Sequence, residues 1–359
     1  QFALSAKASY QSDVTEIPVK LPGVDLKGLP KDQYQVMLEL QQKIWDGGRI
    51  RMQKKQTIAE AEVEKEKLNV DMYALNDRVN DLYFGILLLD EQIKQNTLLQ
   101  DELERNYRQI TAYVENGIAN QADLDAVKVE QLNTKQKRVD LVSSRAAYLK
   151  MLSLLVGEAL SPETVLEKPV PQSTVSAVSE IRRPELALFD AQGAGLQVQE
   201  KALNVRHLPQ FGLFVQGAYG NPGLDMLKNE FSPYYMAGVR LSWNFGSLYT
   251  LKNDRRVIEK KRQQLDNNRD VFLFNTRLEM TQQDQAIHSL EKQMRDDDEI
   301  IRLRTNIRKA AEAKVANGTL TVTEMLRELT NESLARQSKA IHEIQRLMGI
   351  YQLKYTIND

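Results

Sequence analysis

The sequence predicts a mostly α chain, internally duplicated, in which each copy is a β-hairpin followed by long coiled-coil helices. Three observations predict it: ordered internal echoes, segments of alternating polarity, and proline-free stretches whose apolar residues step by three and four. Gln1-Phe2-Ala3-Leu4 returns as Gln210-Phe211-Gly212-Leu213. The stretch ending Trp45-Asp46-Gly47-Gly48 returns as Trp243-Asn244-Phe245-Gly246, and Val114-Glu115-Asn116-Gly117 as Val315-Ala316-Asn317-Gly318. The pairs keep their order at a spacing of about 200 residues, which is the signature of a repeat. Each copy reads strand, loop, strand, very long helix, Asn-Gly turn, shorter helix.

The strands come first. Phe2, Leu4, Ala6, Ala8 and Tyr10 alternate with Gln1, Ala3, Ser5, Lys7 and Ser9, as a pleated strand requires. Tyr34, Val36, Leu38 and Leu40 likewise alternate with Gln33, Gln35, Met37, Glu39 and Gln41. In the second copy Phe211, Leu213, Val215 and Tyr219 share a face, and Tyr235, Ala237, Val239, Leu241 and Trp243 oppose Gly238, Arg240 and Ser242. Strands of about ten residues with one apolar face and aromatics near their ends suit a transmembrane barrel. Taken alone they suit a half-buried hairpin of a soluble domain equally well.

The helices separate the two. Leu68, Met72, Leu75, Val79, Leu82, Ile86, Leu89 and Ile93, then Leu103, Tyr107, Ile110 and Val114, form a coiled-coil seam interrupted only by Asn96 and Gln100. A helix from Gly48 to Gly117 would be on the order of 100 Å long, so it must project from any compact domain. Ser247 to Asn317 is its counterpart. Both rods end in Asn-Gly, where positive φ is tolerated. The returning helix, Gln121 to Val156, carries two apolar stripes: Leu132, Val139, Val142 and Leu149 on one, Leu141, Tyr148, Leu152 and Leu155 on the other. Two stripes call for neighbours on both sides. Gly157 and the Pro-containing stretch Ser161 to Gln172 end it. A further helix, Ser179 to Arg206 with Pro184 in its first turn, leads into the third strand. The first copy starts directly at its strand, so an equivalent helix upstream of Gln1, preceded by a secretory signal, is expected.

Four strands cannot close a barrel, and an open edge in lipid costs several kcal/mol per unsatisfied backbone group. If the hairpins are membrane-embedded, several chains must share one barrel, whose lumen face would carry Lys7, Gln33, Gln35, Glu39 and Arg240. Composition is compatible. There are 48 Lys and Arg against 49 Asp and Glu, without the basic footprint of a nucleic-acid binder. No stretch approaches the roughly 18 apolar residues of a transmembrane helix, and cysteine is absent.

The strand-to-helix junctions, the tips Asn116 to Leu124 and Asn317 to Leu326, and the ending Leu149-Lys150-Met151-Leu152-Ser153-Leu154-Leu155-Val156-Gly157 resemble those of the TolC-like outer-membrane efflux proteins. The resemblance covers nearly the whole chain. It implies a homotrimer with a twelve-stranded outer-membrane β-barrel and a periplasmic α-helical barrel. It further implies docking to a periplasmic adaptor (a membrane fusion protein) that couples it to an inner-membrane pump. The chain then divides into a first barrel hairpin (1–47), a first helical hairpin (48–156), an equatorial linker (157–178), a helix leading into the second copy (179–207), a second barrel hairpin (208–246), and a second helical hairpin with the C-terminal segment (247–359). Phe2, Leu4, Tyr10, Val36, Leu38, Leu213, Val215, Leu241 and Trp243 would face lipid.

The gate and adaptor contact are expected at Asn116, Gly117, Asp123, Asn317, Gly318, Leu320, Glu324 and Arg327. Asp123 and Glu324 fall where the family often has acids, whereas Leu320 and Arg327 depart from its basic and second acidic positions. Carboxylates there also suit simple helix-end stabilisation. Holding neighbouring helix pairs through Arg327 or Lys314 is the sharper reading. No phosphate loop, His/Cys cluster or nucleophile–base set points to an enzyme, a cofactor or a metal. His207, His288 and His342 read as lone surface residues, Asp296-Asp297-Asp298 as a solvated helix face, and Lys260-Lys261-Arg262 as rod surface. Gly193-Ala194-Gly195 suggests close helix packing, and Tyr83-Phe84 with Ile86 to Leu89 suggests core. Two rival readings are a periplasmic adaptor, which duplication with two hairpins disfavours, and a soluble coiled-coil scaffold, which leaves four amphipathic strands unexplained.

Overall fold

The structure, a computed structural model, describes residues 1–14, 30–170, 179–225 and 228–358. Of the expected linker, residues 171–178 lie outside the described residues. The elements run β1 (Phe2–Tyr10), β2 (Asp32–Trp45), α1 (Arg49–Glu115), α2 (Gln121–Val156), α3 (Pro184–Arg206), β3 (Gln210–Asn221), β4 (Ser232–Ser242), α4 (Ser247–Ala316) and α5 (Val322–Ile357). They divide into two compact units, Gln1–Glu64 with Phe189–Asp266, and Lys65–Leu188 with Asn267–Asp359.

The first unit holds one antiparallel sheet in the order β1-β2-β3-β4, so the two hairpins of the repeat are joined edge to edge through β2 and β3. Register keeps the faces pure. Leu4 pairs Leu38, Leu40 pairs Val215, and Phe211 pairs Leu241, while Lys7 pairs Gln35 and Glu39 pairs Gln216. The echoed junction motifs have a shared physical purpose. Asp46 accepts from the Gly48 and Ile50 amides at 2.8 and 2.7 Å and so caps α1. Asn244 accepts from the Gly246 amide at 2.9 Å. Those amides hold the Asp46 carboxyl below the usual carboxylate range, Ile50 most strongly. Gly47 sits at φ +68°, and a Cβ there would lie 2.8 Å from that of Leu208.

Four helices make the second unit. Its largest core gathers Leu103, Ile110, Val127, Ala311, Val315, Val322, Met325, Leu326 and Leu329 around both helix tips. Smaller clusters centre on Ile86 with Leu149, on Met280 with Leu353, and on Phe84 with Ile344. The polar break in the α1 seam is satisfied from α2: Asn96 is buried and donates to the Thr134 carbonyl at 3.1 Å, and Gln100 donates to Asn96 at 3.0 Å. Higher on α1, Leu68 and Met72 stay exposed.

Three expectations are corrected. The helix predicted from Ser179 begins at Pro184, because proline disfavours helical geometry in the residue before it and lacks only an amide that a first turn leaves unbonded. Residues 182 and 183 serve instead as an anchor. The Arg182 amide donates to the Ile357 carbonyl at 2.8 Å. The Arg183 guanidinium lies 5.6, 5.4 and 5.3 Å from the Tyr73, Phe272 and Tyr355 ring centres and pairs with Glu185. Burial there pushes the Tyr73 hydroxyl up to about 12. Second, Asp297 is buried rather than solvated and bonds His342 Nδ1 at 2.9 Å, so His342 is not a lone surface residue either. Third, a Cβ at Gly195 would meet open space, and one at Gly193 only ordinary contact with Leu265. The close approach is elsewhere, at Gly85, where a Cβ would lie 2.6 Å from the Tyr148 ring.

Candidate functional site

The sheet is built inside out. Along β2 and β3 the apolar face is the open one, with Leu38 54% and Val215 46% exposed, while the opposite residues from Gln33 to Glu39 and from Gly212 to Gly220 are half-buried or buried. A sheet in water does the reverse. Phe2, Leu4, Tyr10, Val36, Leu38, Leu213, Val215 and Leu241 all lie on the open face, and Trp243 continues it one residue past β4. Lys7, Gln33, Gln35, Glu39 and Arg240 share the other.

That second face is a hydrogen-bonded polar surface. Glu39 accepts from Gln41 at 2.6 Å and from Gln216 at 3.0 Å, with Arg240 at 3.9 Å. Gln35 donates to the Tyr234 hydroxyl. Arg240 also lies 5.1 Å from the Phe214 ring centre. Phe214, Met236 and Tyr234 on this face were missed by sequence reasoning, although β3 and β4 strict alternation could have located them. Among the described residues the outer edges of β1 and β4 have no strand partner.

The tips are a second candidate surface. At the first, Gly117 takes φ +72° and its amide donates to the Val114 carbonyl at 3.1 Å. At the second, Gly318 takes φ +68° and donates to Val315 at 2.9 Å. Asn116 and Asn317 bond back to Ala112 and Ala313 at 2.7 and 2.9 Å. Asp123 and Asn120 form a reciprocal capping box at 3.1 and 3.0 Å, and Glu324 and Thr321 form another at 3.2 Å in both directions. The Thr321 amide and then its hydroxyl hold the Glu324 carboxyl below its ordinary value. Leu320 packs against the tip core. Arg327 reaches Glu328 at 3.7 Å, so its ion pair within the chain is not with Asp123 or Glu324.

Beneath the tips sits a buried charge cluster the sequence reading missed. Glu332 is 1% exposed and accepts from Thr305 and Arg336, each at 2.6 Å, and from Arg308. Burial pushes its carboxyl up, but the bonds from Thr305, Arg336 and Arg308 together bring it below the usual range. The signal was there: Glu332 continues the α5 series Val322, Met325, Leu329 at helical spacing, so a charge falls on an apolar seam. Among the described residues no group of His, Cys, Asp and Glu could hold a metal, and no helix is long and apolar enough to cross a membrane.

The sheet and the helical hairpins both have counterparts among known proteins. Residues 1–158, the first copy of the repeat, match the outer membrane efflux protein family. Over 99% of its length the chain shares the fold of the outer membrane protein VceC from Vibrio cholerae, with TM-score 0.70, 12% identity and 87% of that chain covered. It likewise shares that of the Campylobacter jejuni CmeC outer membrane channel (99% covered, TM-score 0.70, 13% identity, 77% of that chain). For CusC, a transmembrane channel, the corresponding values are 99%, 0.71, 14% and 82%. No curated protein matches in sequence. The likeness is thus one of sequence over residues 1–158 and of fold over the length of the chain.

Proposed function

We propose that the chain is one protomer of a homotrimeric outer-membrane channel, a passive exit duct for efflux or secretion whose helical part lies in the periplasm. The observation that carries this is the sheet, whose apolar face is open while its polar face is half-buried or buried along β2 and β3. Leu4, Leu38 and Val239 exposed together are unfavourable in water at roughly 25 cal/mol per Å² and neutral in lipid. The unpartnered edges of β1 and β4 are satisfied if β4 of one copy pairs β1 of the next, and rotation about one axis closes the ring. The helices support the same reading. Leu132, Val139 and Val142 on α2, and Val271, Phe274 and Leu278 on α4, form apolar stripes that stay exposed among the described residues. A neighbouring copy would bury them.

The polar face, with Lys7, Gln35, Glu39 and Arg240, would line a water-filled lumen. The tips, with Asn116, Gly117, Asp123, Asn317, Gly318, Leu320, Glu324 and Arg327, would form the gate and meet the periplasmic adaptor that joins the duct to an inner-membrane pump. The test is reconstitution. The protein should need detergent for extraction, run at three times its chain mass with detergent subtracted, and give single-channel conductance in planar bilayers. A chain that purifies as a monomer without detergent is a scaffold instead.

A further inference from the structure

We propose that the first turns of α1 and α4 form a cationic belt that binds the anionic head groups of phospholipids in the membrane leaflet beside the strand–helix junction. This rests on the reading of the sheet as membrane-embedded.

Charge at the junction is one-sided. Between Lys43 and Ala59 five cations (Lys43, Arg49, Arg51, Lys54, Lys55) meet a single acid, Asp46, whose carboxylate is already committed to capping α1. In α4, Lys252, Arg255 and Arg256 follow within about 15 Å of the helix start by rise, with one acid among them, Asp254, which faces Arg206 at 3.9 Å. Arg51, Lys54 and Lys55 stand at i, i+3 and i+4, as do Lys252, Arg255 and Arg256, so each set shares a helix face. All six are exposed. The same arrangement thus arises in both copies of the repeat.

The helix starts themselves do not favour these charges. Neither α1 nor α4 has an acid in its first turn, and cations near a helix N-terminus oppose the backbone dipole. Among the described residues Arg51, Lys54, Lys55, Lys252 and Arg256 have no ion-pair partner. In the second unit, by contrast, Arg105, Arg145, Arg302, Arg304, Arg308 and Arg346 are each paired with an acid.

The surroundings indicate what pairs them. Immediately before them in sequence come Trp45, Trp243, Phe245 and Tyr249, the last 90% exposed. Aromatics of this kind settle at the membrane–water interface. The open apolar face of the sheet therefore passes through aromatics into cations, the order in which hydrocarbon passes through the interface to phosphate. A cleft of about 560 Å³ beside them is lined by Arg49, Arg206, Gln53 and Gln56 together with Met52 and Leu203, donors for a phosphate next to apolar surface. Clusters of Lys and Arg at such a boundary attract anionic lipid and are screened by salt.

The test uses the full chain in detergent, titrated with phosphatidylglycerol or phosphatidylcholine and read by native mass spectrometry of retained lipid. The chain should retain phosphatidylglycerol at least about fivefold over phosphatidylcholine at low salt, the order expected for a few cations near a charged interface. Raising the salt to about 0.5 M should bring the ratio close to one, a readout that needs no variant. Arg51→Gln/Lys54→Gln/Lys55→Gln/Arg256→Gln should bring it close to one at low salt, with conductance and ion selectivity unchanged. Equal retention of both lipids by the unaltered chain, or a preference that the variant keeps, would overturn the belt. So would a variant with altered ion selectivity and intact lipid preference, which would put these cations in the pore. If the chain conducts but does not discriminate, only the belt fails. If it neither needs detergent nor conducts, the membrane reading fails with it.

Discussion

The long helices begin and end in opposite chemical settings. At their starts Asp46 caps α1 and Asn244 holds the Gly246 amide just before α4, and their next turns carry cations without partners among apolar side chains left open. At the tips, α2 and α5 begin with Asp123 and Glu324 in capping boxes, Arg308 and Arg336 hold the buried Glu332, and nine buried residues make one core. The tip region is completed by the chain itself. The junction and the sheet are not, so their stability belongs to whatever covers them. The proposed duct, crossing a membrane and ending in water, needs that asymmetry.

The contrast breaks first at Glu332. Its replacement by Ala leaves Arg308 short of a buried partner, and an unfolding free energy lower by about 3–5 kcal/mol is expected from denaturation in detergent. Leu329→Ala should fall in the neighbouring range of about 2–5 kcal/mol. If either is silent, the tips are not self-sufficient. On the sheet, Leu38→Arg or Val215→Arg should cost about 2–4 kcal/mol near a bilayer midplane when folding into lipid vesicles is followed. Gln35→Arg, on the opposite face, should be much milder. Equal tolerance of both faces would remove the membrane assignment.

Smaller effects separate capping from gating. With Asp123→Asn and Glu324→Gln together, a role in the caps alone predicts a lower melting temperature and unchanged conductance. A role in closing the duct predicts larger or more frequent openings at nearly constant melting temperature. The pH dependence has a definite sign. Glu324 and Glu332 both titrate below their ordinary value of 4.5, so their contribution is complete above that value. It is lost only as pH falls through their lower folded values. Hydrogen exchange at the tips should therefore stay slow from neutral pH down to about 4.5, once corrected for intrinsic rates, and quicken below. Protection lost already near pH 6 would contradict this.

Much of this was legible in the residues. Periodicity two in Phe2 to Tyr10 and periodicity three-to-four in Leu68 to Val114 fix element type because backbone geometry alone sets where side chains point. Asn116-Gly117 and Asn317-Gly318 mark the turns because positive φ favours glycine. The duplication was readable by direct comparison. What a single pattern cannot carry is the identity of the neighbour. The α2 stripes look alike in sequence, yet burial cuts across them: Leu149 of the first is buried with Leu141 and Leu152 of the second, while Leu132, Val139 and Val142 are left open. Asp297 reads as one of three solvated acids until α5 brings His342 to it. Glu332 and Asn96 read as flaws in apolar seams until Arg308 and Thr134 face them from other helices. Local geometry is written residue by residue, so the sequence determined strands, rods, turns and caps. Burial depends on what lies across the gap, so only the tertiary structure decided which polar residues are held inside and which apolar ones await another surface.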